Sequence, residues 1–254
     1  MIRKVKAQRY GEQAGRIEES IAIEEPLLLR VNEQDVAILM RTPGRDQELS
    51  AGFLFTEGIV DEPGEIVSIL PSGHPTSAES LVTLRGPLLP GATRNFYRSS
   101  SCGVCGRTAI DALTQRLPEI PPLRVDPASL APLVQQLEEH QSAFAATGGL
   151  HAAGIFSAQG TLLGLAEDVG RHNALDKVIG RCFLDAVLPL QNHILVMSSR
   201  ASFDILQKAA LAGIPVVATI GAPSSLAIEV AARAGIALFG FLRPHRVTQY
   251  AGLA

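Results

Sequence analysis

The second half of the chain alternates short apolar strands with helices, and this alternation restricts it to a layered α/β sheet. A helix is predicted from Asp126 to about Ala146, followed by a hairpin of the strands Leu150–Ser157 and Thr161–Asp168. Beyond the hairpin, helices are predicted at residues 170–187, 202–212 and 223–234, and strands at residues 193–197, 214–219 and 236–242. The order α-β-β-α-β-α-β-α-β joins a hairpin to βαβ units, so it predicts a mixed sheet.

A proline-rich stretch, Pro118–Pro122, separates this part from a strand-rich first part. Prolines cannot continue a helix and favour an extended linker. Before it, strands are predicted at residues 17–30, 34–41, 65–70, 79–85 and 94–97, and helices at residues 46–57 and 107–117. We therefore predict an α/β chain, α+β overall. A smaller strand-rich α+β domain spans residues 1–122, and an α/β domain spans residues 123–254.

Charge and hydropathy exclude several classes of function. The net charge is −3, from 22 basic and 25 acidic residues, which argues against nucleic-acid binding through a broad basic face. No apolar run approaches the ~20 residues of a membrane span. The segment from Met1 to Lys6 leads into polar residues rather than into an apolar core, so no signal peptide is predicted. We expect a cytoplasmic protein, in a reducing compartment where thiols stay available.

Two of the three cysteines, Cys102 and Cys105, lie in a small, basic-flanked segment from Arg98 to Arg107. A glycine follows each of these cysteines and lets another molecule approach closely. The flanking arginines and the predicted helix start would favour thiolate over thiol. The segment therefore predicts sulfur chemistry. Cys182, in a predicted helix, is expected to be a buried small hydrophobe.

Three strand-to-helix junctions carry residues that could hold an anion: 167–173, 198–201 and 221–225. Ligands of open α/β sheets bind beyond the carboxyl ends of the strands, where helix N-termini point at them. Helix capping alone would also explain Asn, Ser and Asp at these places. Three such junctions on one edge favour a nucleotide or phosphate site. His151 and His193 stand at strand starts and are predicted to be structural.

The ordered set of motifs resembles the formate dehydrogenase accessory sulfurtransferase family. The resemblance covers nearly the whole chain and rests on six segments: Phe55–Ile59, Ser100–Gly106, Gly149–Ala153, Glu167–Lys177, Ser198–Ala201 and the Gly-Phe-Leu-Arg sequence ending at Arg243. It implies that persulfide sulfur is accepted from a cysteine desulfurase on Cys102 or Cys105, with Cys102 first. The sulfur then passes to the molybdenum or tungsten of a bis(molybdopterin guanine dinucleotide) cofactor, as formate dehydrogenase requires. A homodimer is also implied.

The resemblance further implies a second domain with a cytidine-deaminase-like fold. Zinc deaminases carry His-x-Glu and Pro-Cys-x-x-Cys at two helix starts. Here Gly170-Arg-His-Asn and Ser198-Ser-Arg-Ala stand there instead, so no structural metal is predicted. The family points to the turn from Phe241 to Arg246 as cofactor-contacting, with two arginines suited to a diphosphate. The predicted cofactor-binding residues are Gly170, Arg171, His172, Asn173, Ser198, Ser199, Arg200, Gly221, Ser224, Phe241, Leu242, Arg243, Pro244, His245 and Arg246.

Three alternatives explain parts of this pattern. A thiol–disulfide oxidoreductase uses Cys-x-x-Cys at a helix start, but it expects a thioredoxin-like β-α-β around the motif. A structural zinc module would need two further ligands at short spacing. A cofactor-binding chaperone would carry the cofactor without carrying sulfur. Metal analysis, insulin reduction and the activity of cysteine variants distinguish these functions.

Overall fold

The structure, a computed structural model, describes residues 1–72, 78–88 and 117–252. In the first part, β1 (Ile2–Arg9) and β2 (Gly15–Ala22) form a two-stranded antiparallel sheet. A second sheet contains β3 (Glu25–Val31), β4 (Gln34–Arg41), β5 (Ile66–Pro71) and β6 (Glu79–Leu84), in the order β4-β3-β6-β5. Helix α1 (Asp46–Thr56) contributes its buried apolar residues to the core of this sheet.

The second part contains a six-stranded sheet with helices on both faces. Its strands are β7 (His151–Ser157), β8 (Leu162–Asp168), β9 (His193–Met197), β10 (Val216–Thr219), β11 (Ala237–Arg243) and β12 (Arg246–Ala251). Its helices are α2 (Ala131–Glu139), α3 (Ser142–Thr147), α4 (Arg171–Leu184), α5 (Phe203–Leu211) and α6 (Ser225–Ala234). The strand order is β12-β11-β10-β9-β7-β8.

The pairing directions bring four strand ends to one edge of this sheet. Strands β9, β10 and β11 are parallel to one another. Strand β7 is antiparallel to β9, and β8 is antiparallel to β7, so β8 runs in the direction of β9. The carboxyl ends of β8, β9, β10 and β11 therefore lie together, beside the first residues of β7 and β12. We call this edge the carboxyl edge.

The central strands are buried because helices cover both sheet faces. Leu195 and Met197 of β9 pack in a cluster with residues of α4, α5 and α6. Ile194 and Val196, on the opposite face, pack with residues of α2. Successive strand residues point to opposite faces, so a strand covered on both sides is apolar at every position. This explains the continuous apolar runs of β9 and β10.

Helices α1 and α4 join the two parts through a close backbone contact. A Cβ atom added to Gly180 would overlap the Glu48 carbonyl, and one added to Gly52 would overlap the Asp176 carbonyl. Only a residue without a side chain allows this approach. Phe183 of α4 also belongs to the apolar core of the first part. Helix α4 thus packs against both parts of the chain.

The predicted fold class is confirmed: the chain is α+β, and its second part is a mixed sheet with the expected order of helices and strands from β7 to β11. The division into domains at residue 122 stays a prediction. Within the predicted linker, Ile120 is buried, and its N–H donates to the Ala234 carbonyl of α6 at 3.1 Å. The predicted strand at 94–97 and nearly all of the predicted helix at 107–117 lie outside the described residues.

Two element predictions were wrong. The single strand predicted at 17–30 is two strands, β2 and β3, because the chain passes between two sheets at Ile23 and Glu24. The continuous helix predicted at 126–146 is a 3-10 turn at Pro127–Leu130 followed by α2 and α3. The Glu167 carboxylate accepts from the Ala143 and Phe144 N–H groups at 3.1 and 2.7 Å, and this contact fixes a new helix start. Strands β1 and β12 were not predicted.

No helix in the described ranges has the length and apolar character that a membrane span would need.

Candidate functional site

The predicted cofactor-binding residues all lie at the carboxyl edge. The segment after β8 contains 170–173, the segment after β9 contains 198–201, and the segment after β10 contains 221–224. The turn 241–246 joins β11 to β12. Backbone contacts hold neighbouring segments together: Gly221 N–H donates to the Ser199 carbonyl at 3.1 Å, and Phe241 N–H donates to the Gly221 carbonyl at 3.2 Å. The topology thus brings the four segments together.

The first turn of α4 places two donor side chains at this edge. Gly170 is the N-cap residue, and Arg171 and His172 follow it. Arg171 Nε and His172 Nε2 are buried and have no hydrogen-bond partner among the described residues. Burial lowers the pKa of Arg171, and the positive charge of Arg200 lowers it further. The first two junctions thus each contribute a positive charge to this edge, Arg171 from one and Arg200 from the other.

One carboxylate faces this charge. Asp204, in the first turn of α5, has its Oδ2 atom 3.5 Å from His172 Nε2, an ion-pair distance rather than a well-formed hydrogen bond. The contact with His172 lowers the pKa of Asp204. The negative charge of Asp204 also opposes the lowering of the Arg171 pKa. The sequence analysis did not single out Asp204.

Asn173 bonds inward rather than toward a ligand. Its Nδ2 donates to the Met40 carbonyl at 2.7 Å and to Asp168 Oδ1 at 3.0 Å. Asp168 is fully buried, and its Oδ2 lies 2.7 Å from Lys177 Nζ and accepts from Thr42 N–H at 3.1 Å. These contacts fasten the start of α4 to the first part of the chain.

The serines of the predicted site also bond to the protein itself. Ser198 Oγ accepts from Ala152 N–H at 2.8 Å, and Ser199 Oγ donates to the Arg200 carbonyl at 3.1 Å. Ser224 is the N-cap of α6, since its Oγ accepts from Ala227 N–H at 3.3 Å. The capping alternative therefore accounts for Ser224. All three serines shape the backbone of the edge.

A second group of cations lies on the turn between β11 and β12. Phe241 has a positive φ of 52°, and the Arg246 guanidinium lies 4.6 Å from the centre of its ring. Arg243 is exposed, and its Nη1 donates to the Ile220 carbonyl at 3.1 Å. Pro244 and His245 are exposed at the tip of the turn, while Leu242 is buried in the core. Leu242 therefore anchors the turn, and the two arginines remain accessible.

Gly221 lets the second and third junctions approach closely. A Cβ atom there would lie 2.8 Å from the Arg200 Cα atom, closer than real side chains come. The residue therefore has a packing role beside the cationic side chains.

His151 also lies in the neighbourhood of these charges, although the sequence analysis predicted a structural role. Burial lowers the pKa of His151, and the positive charges of Arg171 and His172 lower it further. The histidine lies in the segment Gly149–Ala153, which is one of the segments that carry the family resemblance. Its nearness to α4 follows only from the antiparallel pairing of β7 with β8.

Cys102 and Cys105 lie outside the described residues. Within the described ranges, no group of three or more His, Cys, Asp or Glu side chains could hold a metal ion. Cys182 is partly buried in α4. Burial raises the pKa of its thiol above the ordinary value of about 9, and Asp185 raises it further. This thiol is therefore protonated at neutral pH and a poor nucleophile.

Comparisons with known proteins agree on one family. The profile of the FdhD/NarQ family matches residues 22–254. A sulfur carrier protein FdhD from Streptomyces avermitilis is 45% identical over 263 residues, covering 98% of this chain and 93% of the relative. The protein of that name from Mycobacterium tuberculosis is 43% identical over 247 residues, covering 91% and 90%. The crystal structure of a protein from Desulfotalea psychrophila, a proposed formate dehydrogenase accessory protein, superposes on this chain with a TM-score of 0.76. The two sequences are 25% identical, and the match covers 99% of this chain and 96% of the other.

Proposed function

The chain belongs to the FdhD/NarQ family, and we propose that it is a sulfurtransferase serving formate dehydrogenase. It takes persulfide sulfur from a cysteine desulfurase and transfers it to the molybdenum of a bis(molybdopterin guanine dinucleotide) cofactor, which is its substrate. Two features of the comparisons support a role of this kind. The curated relatives are named sulfur carrier proteins, and the structural relative is a proposed formate dehydrogenase accessory protein.

The carboxyl edge supports a substrate that carries a diphosphate, and this is the observation on which the proposal most depends. Leaving a buried donor without a partner costs about 1–3 kcal/mol. Arg171 Nε is such a donor, and it lies beside the charge of Arg200, while His172 Nε2 next to it has, among the described residues, only the 3.5 Å contact with Asp204. A diphosphate would accept from Arg171 and offset the charge. Arg243 and Arg246 offer further cations at the same edge.

The sulfur chemistry belongs to Cys102 and Cys105. A thiolate attacks the outer sulfur of the desulfurase persulfide, so that the outer sulfur joins this protein and the desulfurase leaves as a thiolate. The second thiolate can then attack the inner sulfur of the new persulfide. That step forms a Cys102–Cys105 disulfide and releases the outer sulfur for the metal. The raised pKa of Cys182 supports its exclusion from both steps.

Persulfide mapping tests this assignment. The protein is incubated with a cysteine desulfurase and cysteine, alkylated, digested and analysed by mass spectrometry. We expect one added sulfur on the peptide with Cys102 and Cys105, and none on the Cys182 peptide, which serves as the internal control. In the double variant Cys102→Ala/Cys105→Ala we expect the adduct to be lost. An adduct that persists in this variant would contradict the assignment.

The same variant separates the carrier from a cofactor-binding chaperone. If the protein carries sulfur, the double variant should bind guanine nucleotide normally but fail to activate formate dehydrogenase. Full activation by the variant would favour the chaperone. The homodimer and a cysteine desulfurase partner stay predictions that depend on the sequence resemblance, and the cytoplasmic location stays a prediction from the N-terminal sequence and the free thiols.

A further inference from the structure

We propose that His151 contacts the ligand of the carboxyl edge, where its imidazole accepts a hydrogen bond that the neighbouring cations cannot accept. This inference deepens the proposed function and depends on it, because it concerns the same edge of the sheet. The sequence suggested a structural histidine at the start of a strand. Three observations on its position, its charge and its bonding argue for a role in binding.

The position follows from the pairing of β7. His151 is opposite Asp168 in the antiparallel pair of β7 and β8. The next residue, Ala152, exchanges two hydrogen bonds with Ser198, at 2.8 and 3.0 Å. His151 therefore lies between the start of α4 and the segment after β9. Its side chain shares a sheet face with Ala153, which packs toward α4 and α5.

The charged groups around His151 keep it neutral. Arg171 and His172 approach it from α4, and both positive charges disfavour its protonation. Asp168, on the neighbouring strand, forms an ion pair with Lys177 at 2.7 Å. Asp204 of α5 lies against His172. Because burial also lowers the pKa of His151, the imidazole is uncharged at neutral pH and keeps one nitrogen as an acceptor.

The bonding of His151 differs from that of His140, an exposed histidine directly after α2. His140 Nδ1 lies 2.7 Å from the Gln136 carbonyl, one turn earlier in α2. The His151 ring, although half-buried, forms no hydrogen bond with any residue in the described ranges. A ring that a bound ligand covers needs a partner, because burying a polar group without one costs free energy. A ligand held at this edge would supply one.

The chemistry of the site defines the kind of ligand group that would form a hydrogen bond with His151. Arginine side chains only donate, and phosphate oxygens bind them by accepting. An acceptor in the same place selects a ligand group with an N–H or O–H. The guanine ring and the ribose of a nucleotide carry such groups outside the phosphates, and inorganic pyrophosphate has no base and no sugar. His151 thus discriminates a nucleoside diphosphate from a bare diphosphate.

Calorimetric titration of the full chain with GDP and with inorganic pyrophosphate tests this assignment. For His151→Phe we expect GDP affinity to fall about five- to tenfold, the loss of one hydrogen bond, while pyrophosphate affinity changes less than twofold. His151→Gln should recover much of the GDP affinity, because its amide oxygen accepts. The matched control is His193→Phe, at the first residue of β9. That strand is antiparallel to β7, so His193 lies at the opposite edge.

The possible outcomes separate the inference from the proposed function. Equal losses for GDP and pyrophosphate, or no loss for either, would overturn the role of His151. An equal effect of His193→Phe would also overturn it, because the effect would then come from general destabilisation. If the wild-type chain bound no GDP, the proposed function would fail and this inference with it. Unfolding temperatures of all variants should agree with the wild type.

Discussion

The side chains of the segment from Glu167 to Lys177 divide into two groups by the direction of their bonds. Glu167 caps α3, and Asp168, Asn173 and Lys177 form a buried network with the first part of the chain. The two side chains between Gly170 and Asn173 instead have buried nitrogen atoms without a partner among the described residues. One motif therefore builds the site and fixes its position, so substitutions within it should fall into two classes.

The buried pair of Asp168 and Lys177 gives a prediction of the first class. Both side chains are at most 1% exposed. Lys177→Met leaves the Asp168 carboxylate buried without its counter-charge, and we expect the free energy of unfolding to fall by about 3–5 kcal/mol. Asp168→Asn/Lys177→Met should cost less than the sum of the single changes, because neither charge is left alone. Urea unfolding of the wild type, the two single variants and the double variant measures these free energies.

An exposed pair provides the comparison. Lys4 and Glu18 lie 3.1 Å apart with side chains 70% and 59% exposed. Lys4→Met should change the stability by less than about 1 kcal/mol. If Lys177→Met cost no more than Lys4→Met, the buried network would not hold the start of α4 in place.

The contact between α1 and α4 depends on two glycines and yields a prediction about packing. In Gly180→Ala, the new methyl group would overlap the Glu48 carbonyl, so the helices must separate. We expect a loss of roughly 3 kcal/mol, at the upper end of the usual cost of overpacking. The midpoint of urea unfolding measures it. Gly64→Ala is the matched control, because a Cβ atom there meets nothing within 4 Å; a similar loss in both variants would contradict the prediction.

The sequence predicted elements well where burial alone decides them. Strands β9 and β10 are apolar from Ile194 to Met197 and from Val216 to Ala218 because helices cover both faces, and a short apolar run between turns is a clear signal. The break between α2 and α3 was missed because it depends on Glu167, which is distant in sequence. The division of 17–30 into two strands was missed because no glycine or proline stands at Ile23 and Glu24.

The arrangement of the candidate site was also predictable only in part. The rule that ligands bind at strand carboxyl ends predicted which junctions would meet, and the pairing directions bring them together. The inward bonds of Asn173 were not predictable, because its partner, the Met40 carbonyl, lies in another sheet. The position of His151 beside the start of α4 was not predictable, because a strand start has no fixed neighbours until the strand order is known. Contacts between distant segments, rather than local pattern, decide which side chains of a motif bond to the protein itself and which are left without a partner.

The whole molecule is connected through α4. This helix begins at the carboxyl edge, passes the glycine contact with α1 and ends with Phe183 in the core of the first part. A second buried network lies at mid-helix, where Lys208 of α5 donates to Asp176 Oδ1 and to Thr56 Oγ1 of α1 at 2.9 and 2.7 Å. The part that would bind the cofactor therefore cannot open without disturbing the first part.

This connection predicts that the chain unfolds in one cooperative step, although the sequence suggests two domains. Each part would leave a face of α4, with its buried charges, without cover if it unfolded alone, and an uncompensated buried charge costs several kcal/mol. In scanning calorimetry of the full chain we expect one peak whose calorimetric and van't Hoff enthalpies agree. Gly180→Ala should shift this peak to lower temperature without splitting it, because the contact that it weakens is shared by both parts. Two resolved peaks in the wild type, or a split peak in this variant at a matched scan rate, would show instead that the carboxyl edge is carried by an independently stable domain.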